Sequence, residues 1–139
     1  LYQRRIRAGI DALVRQGADP KHIAVIGYCF GGTGALEAAR GQLPVQAVVS
    51  IHGGLGKGQR ANGPIVPKVL VLHGAEDASV PESEVEALRQ ELRAAGSDWQ
   101  LIYYAGSKHT FTNPESPDYN AVMSQRAWQH TLQFLAEVL

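Results

Sequence analysis

Gly27-Tyr28-Cys29-Phe30-Gly31-Gly32 is the stretch on which the reading of this chain turns. Before it, His22 to Tyr28 is a short apolar run rich in β-branched residues, which predicts a buried strand. After it, Thr33 to Arg40 bears Ala and Leu and closes at Gly41, which predicts a helix. A strand that passes into a helix through G-x-C-x-G has the pattern of a nucleophile elbow, G-x-S-x-G with Cys in place of Ser. Glycines on either side of Cys29 suit a turn too sharp for a β-carbon. Cys29 would stand at the helix N-terminus, where unpaired N–H groups and the helix dipole favour a thiolate. The N–H of Phe30 would point at a developing oxyanion. A lone cysteine is more often structural, but this motif between a strand and a helix favours catalysis.

Working outward, Ile6, Ile10, Leu13 and Val14 fall on one face at helical spacing, and Gly17-Ala18-Asp19-Pro20 ends that helix. Val45 to Ile51 reads as a second strand. His52 to Pro67 holds five glycines and two prolines, so it is predicted as loop. Lys68 to His73 is a third strand, and Pro81 suits the first turn of the next helix. Val85, Leu88, Leu92 and Ala95 give that helix its buried stripe. Trp99 to Tyr104 is a fourth strand, and Tyr119 to Val138 a long final helix. Strands separated by helices or long connections imply a parallel sheet covered on both faces.

In an open parallel sheet, sites form beyond the carboxyl ends of the strands. The third strand runs into His73-Gly74-Ala75-Glu76-Asp77, and the fourth into Gly106-Ser107-Lys108-His109. The chain order Cys29, Asp77, His109 is the nucleophile, acid, histidine order of α/β-hydrolases.

Three stretches then resemble the dienelactone hydrolase family. They are Gly27 to Gly32, His73 to Asp77 with Val80-Pro81, and His109-Thr110-Phe111-Thr112-Asn113-Pro114. The similarity runs from about Arg4 to Val138 and implies the C-terminal part of that family's domain. The fold class expected is α/β, a parallel sheet of about four strands with helices on both faces, the C-terminal half of an α/β-hydrolase. The resemblance implies Cys29 as nucleophile, Asp77 as acid and His109 as base. The implied reaction is hydrolysis of a small ester or lactone through an acyl-cysteine, with no cofactor and no metal. It implies also that upstream strands supply a second oxyanion donor, a carboxylate near the cysteine and part of the pocket. The best-known members carry an arginine four residues after the histidine, where this chain has Asn113. A broader esterase is therefore implied as much as a dienelactone hydrolase.

Composition bounds the alternatives. The chain has 139 residues, a single-domain length. Lys+Arg and Asp+Glu are 13 each, so there is no basic footprint for nucleic acid or an anionic membrane. No apolar run suffices for a transmembrane helix. The single Cys29 excludes an internal disulfide and suits a reducing, cytoplasmic compartment. The chain starts at Leu1 inside a predicted helix, so residues 1–139 are expected to be one partial domain lacking N-terminal strands. The exposed strand His22 to Tyr28 would then allow a homodimer through the sheet edge.

Tyr28, His52, Phe111 and Asn113 are the pocket candidates, with Phe30 either in the pocket or simply packed. His52 reads first as a loop histidine bonded to backbone, and His73 as structural. Glu76 competes with Asp77 for the acid role. His22 and His130 read as surface or helix residues, and Trp99 and Trp128 as core. Two rival functions are a metal protein using Cys29, His52, His73 and His109, and a non-catalytic binding module on the same scaffold. No two of those four ligands have a short chelating spacing, and a metal site would leave the elbow glycines unexplained. A nucleotide-binding loop is excluded because Cys29 occupies the second glycine of G-x-G-x-x-G.

Overall fold

A computed structural model describes residues 1–139. The elements are α1 (Tyr2–Arg15), β1 (Ala24–Tyr28), α2 (Phe30–Arg40), β2 (Ala47–Ile51), β3 (Lys68–Gly74), α3 (Glu82–Ala94), β4 (Trp99–Tyr104) and α4 (Ala121–Val138). The four strands form one parallel sheet in the order β1-β2-β3-β4. The expected α/β class and four-strand parallel sheet are therefore observed.

Alternating side chains of the central strands divide the core in two. Val48, Val69 and Val71 point to the side where Ile10 of α1, Leu36 and Ala39 of α2, and Val85, Leu88 and Leu92 of α3 pack. Val49, Ile51, Leu70 and Leu72 point to the other side, against Ala127 of α4, Tyr104 and Phe111. β2 and β3 are buried almost throughout, because sheet neighbours flank both and helices cover both faces.

β1 pairs only with β2, and Ile26 and Tyr28 on it are exposed. The strand starts at Ala24, so His22 stays outside it, hydrogen-bonded to Asp19. In α1 only Ile10 is buried, while Leu13 and Val14 face solvent in place of the core expected for them. No helix is long and apolar enough to cross a membrane.

Beneath the sheet face, Arg40 of α2 joins Glu37 and Glu91 of α3 in a buried ion network, at 3.1 Å and 2.8 Å. Arg40 also donates to the carbonyls of Leu55 and Gly56 in the β2–β3 connection. Glu84 accepts from the Leu55 N–H at 3.1 Å. These contacts fix the long glycine-rich segment after His52 onto two helices.

Candidate active site

Cys29 lies between β1 and α2 with φ 52° and ψ −119°, left-handed backbone that a non-glycine residue adopts only when its surroundings compel it. Gly27 is what allows the turn, since a β-carbon there would sit 1.8 Å from the Gly31 carbonyl oxygen. Gly31 itself is not sterically required, because a β-carbon there meets nothing within 4 Å. The second constrained glycine is Gly32, where a β-carbon would lie 3.0 Å from Gly53. The elbow thus depends on Gly27 and on a close approach of Gly32 to the next loop, and not on the G-x-C-x-G pair as first read.

That approach brings the ends of β1 and β2 together. The Cys29 N–H donates to the Ile51 carbonyl at 3.1 Å, and the His52 N–H to the Leu72 carbonyl at 2.9 Å. His52, at φ 40°, is buried and places Nδ1 3.3 Å from Cys29 Sγ. Its Nε2 lies 2.8 Å from the Thr112 hydroxyl. His52 is therefore not a loop histidine bonded to backbone through its ring; its ring bridges the cysteine and the loop after β4. Burial, with His109 nearby, pushes its pKa down to about 4, so it is neutral at neutral pH.

The loops after β3 and β4 are joined in the same way. A β-carbon on Gly74 would meet the Ser107 carbonyl oxygen at 2.5 Å, and the Glu76 N–H donates to that carbonyl at 2.9 Å. Asp77, its side chain fully buried, sets Oδ2 2.8 Å from His109 Nδ1. Its other oxygen accepts from the Ser79 N–H at 2.9 Å. Glu76 is exposed and makes no such contact, so Asp77 is the carboxylate beside the histidine. Donor atoms of Cys29, His52 and His109 all lie within 4.8 Å of one another. Of the four non-glycine residues at positive φ, Cys29 and His52 belong to this cluster and Thr110 directly follows His109.

The electrostatics of Cys29 depart from the helix-terminus expectation. Burial, and then the Asp77 carboxylate, push the thiol above its ordinary value. Both effects favour the protonated thiol over a preformed thiolate.

The cluster opens on a cavity of about 460 Å³ lined by Tyr28, Cys29, His52, Thr112, Asn113 and Trp128, among others. Tyr28, His52 and Asn113 are there as expected. Phe111 is not: it is fully buried between Tyr104 and His52 in the α4-side core, supporting the pocket from behind. Phe30 also leaves the pocket, its exposed ring stacked on Tyr2 at 4.6 Å. Trp128, expected in the core, is half-exposed on the cavity wall, because α4 buries only Ala127 and Thr131. Sequence spacing could not place Thr112 and Trp128, since one comes from the loop after β4 and the other from α4. His73 lies outside the cluster, edge-on to Tyr103 at 5.6 Å, and His130 hydrogen-bonds the Tyr104 hydroxyl at 2.7 Å.

Comparison with known proteins gives concordant matches. A family model described as the dienelactone hydrolase family matches residues 2–139. A Yersinia pestis protein with the provisional name carboxymethylenebutenolidase is 33% identical over 132 residues, covering 88% of this chain and 49% of its own. A Caenorhabditis elegans protein without an assigned activity is 32% identical over 144 residues, covering 96% and 91%. The crystal structure of a dienelactone hydrolase-like promiscuous phosphotriesterase from metagenomic libraries superposes with a TM-score of 0.91. It is 36% identical and covers 99% of this chain and 61% of its own. The chain spans about half the length of the carboxymethylenebutenolidase relative it matches.

Proposed function

As the chain belongs to the dienelactone hydrolase family, we propose that it hydrolyses small carboxylic esters or lactones with Cys29 as nucleophile, His109 as base and Asp77 as its orienting acid. The observation that carries this reading is the position of His109. Its Nδ1 is engaged by buried Asp77 at 2.8 Å, and a ring nitrogen lies within 4.8 Å of the sulfur of Cys29, which lines the cavity. That leaves Nε2 as the nitrogen for proton transfer.

Because the thiol is pushed up, the reaction needs its proton removed as the bond forms. His109 accepts the proton from Sγ while sulfur attacks the carbonyl carbon. The oxyanion develops next to the Phe30 N–H at the start of α2. Collapse breaks the ester C–O bond, and His109 returns the proton to the leaving alcohol. A water, deprotonated by His109, then cleaves the acyl-cysteine to the acid and frees the thiol. Asp77 holds the imidazole in the tautomer this needs and stabilises the imidazolium. Asn113 and Tyr28 on the cavity wall, with no cationic side chain among the lining residues, suit neutral ester substrates.

Incubation with p-nitrophenyl acetate, acid quench and peptide mass analysis tests this directly. An acetyl adduct on the Cys29 peptide that decays with turnover is expected. Turnover with an unmodified Cys29, or no turnover with any small ester or lactone, overturns the reading.

A further inference from the structure

We infer that Cys29 Sγ, His52 Nδ1 and His109 Nε2 together form a binding site for a borderline-soft divalent cation such as Zn²⁺. The sulfur and the His52 nitrogen are 3.3 Å apart, and the donor atoms of all three residues lie within 4.8 Å of one another. A tetrahedral zinc with thiolate and imidazole ligands holds neighbouring donors roughly 3.5 Å apart. One edge of the site therefore already has ligand spacing. Closing the rest takes an inward movement of His109 by about an ångström, and that ring is part-exposed.

A second observation is independent of those distances. Metal-binding imidazoles direct their outer nitrogen at an acceptor that fixes ring and tautomer. His109 directs Nδ1 at the Asp77 carboxylate, and His52 directs Nε2 at the Thr112 hydroxyl, both at 2.8 Å. With Thr112 Oγ1 accepting from Nε2–H, His52 turns the Nδ1 lone pair toward the sulfur. Each ring thus has its outer nitrogen held and its inner one free for a cation. One sulfur and two imidazole nitrogens are the donor set zinc prefers over harder cations. The fourth position would open to the cavity that Tyr28 and Trp128 line, where a water could complete the coordination.

On binding, the S–H proton goes to solvent and a sulfur–metal bond replaces it, with no change of oxidation state. The consequence rests on the function proposed above: the cation caps nucleophile and base together, so it is a reversible inhibitor and not a cofactor.

Co²⁺ serves as the probe in the whole protein. One equivalent is expected to bind, with a thiolate-to-cobalt charge-transfer band that Zn²⁺ displaces. Cys29→Ser should abolish the band. Asp77→Asn should weaken binding by roughly 10–100-fold, and His52→Ala by at least as much. His22→Ala and His130→Ala should leave it unchanged, and circular dichroism should report every variant folded. Zn²⁺ should inhibit ester hydrolysis with the midpoint of its binding curve, and a chelator should restore it. Binding that persists in both Cys29→Ser and His52→Ala, or no band at one equivalent, overturns the site. Activity that requires zinc overturns the inhibitory role. Cobalt bound as described by a protein without esterase activity refutes the proposed function and leaves the site standing.

Discussion

Cys29 Sγ stands 3.3 Å from His52 Nδ1, with the ring of His109, held by Asp77 at 2.8 Å, within 4.8 Å of both. The thiol therefore rests against a neutral ring. His52→Ala removes that partner and the Thr112 contact. We expect the alkylation rate of Cys29 by iodoacetamide to change, with kcat altered more than KM for p-nitrophenyl esters. Identical alkylation rates in the two proteins would show that the ring does not hold the thiol.

Cys29→Ala should abolish ester hydrolysis while shifting the melting temperature little, since the side chain is small and only part-buried. His109→Ala should cost a comparable factor, because residues acting as a unit are not additive. Rates on a p-nitrophenyl ester, with calorimetry alongside, separate loss of chemistry from loss of fold.

Acid should destabilise the protein through His52. Its pKa falls from 6.5 unfolded to about 4 folded, chiefly by burial. Above pH 6.5 both states are neutral and the group contributes no pH dependence. Between about 6.5 and 4 only the unfolded chain takes up the proton, so stability declines as pH falls, by up to roughly 3 kcal/mol. His73, also pushed down by burial, adds to the same slope. Urea melts at pH 7 and pH 4.5 should show a smaller acid loss in His52→Gln than in the parent.

Arg40→Met should leave Glu37 and Glu91 as buried carboxylates without their shared guanidinium, although Arg60 still reaches Glu37. Breaking a buried pair from one side typically costs about 3–5 kcal/mol. It would also release the Leu55 and Gly56 carbonyls that fix the segment after His52. A denaturant midpoint equal to the parent's would show the network to be idle.

Gly27→Ala and Gly31→Ala should part company. The first forces a β-carbon against the Gly31 carbonyl and should prevent folding of the elbow, whereas the second meets open space inside α2. Gly31→Ala should retain or raise the melting temperature, by up to about 1 kcal/mol of helix propensity. Equal losses in both would contradict this account of the turn.

The open edge of the sheet gives a last expectation. β1 has a partner on one side only and exposes Ile26 and Tyr28. The 139-residue chain by itself should associate through this edge, and Ile26→Lys should return it to a monomer by light scattering.

What the sequence determined by itself is what short stretches of chain encode. The β-branched runs specified four strands, the glycines around Cys29 marked the elbow, and position just past β3 and β4 marked Glu76, Asp77 and His109, with the family resemblance choosing Asp77 as the acid. Each of those signals is local: period, turn chemistry, and the rule that parallel strands end at one edge. Tertiary structure decided what depends on neighbouring strand ends. His52 meets Cys29 across 23 residues because β1 and β2 lie side by side and Gly32 and Gly53 touch. Phe111 turned inward against Tyr104 and His52, and Trp128 stayed half-exposed because α4 buries only Ala127 and Thr131, neither of which local spacing records. The upward push on the thiol is likewise a tertiary outcome: the helix terminus is visible in the motif, whereas the burial and the Asp77 charge that oppose it exist only after folding.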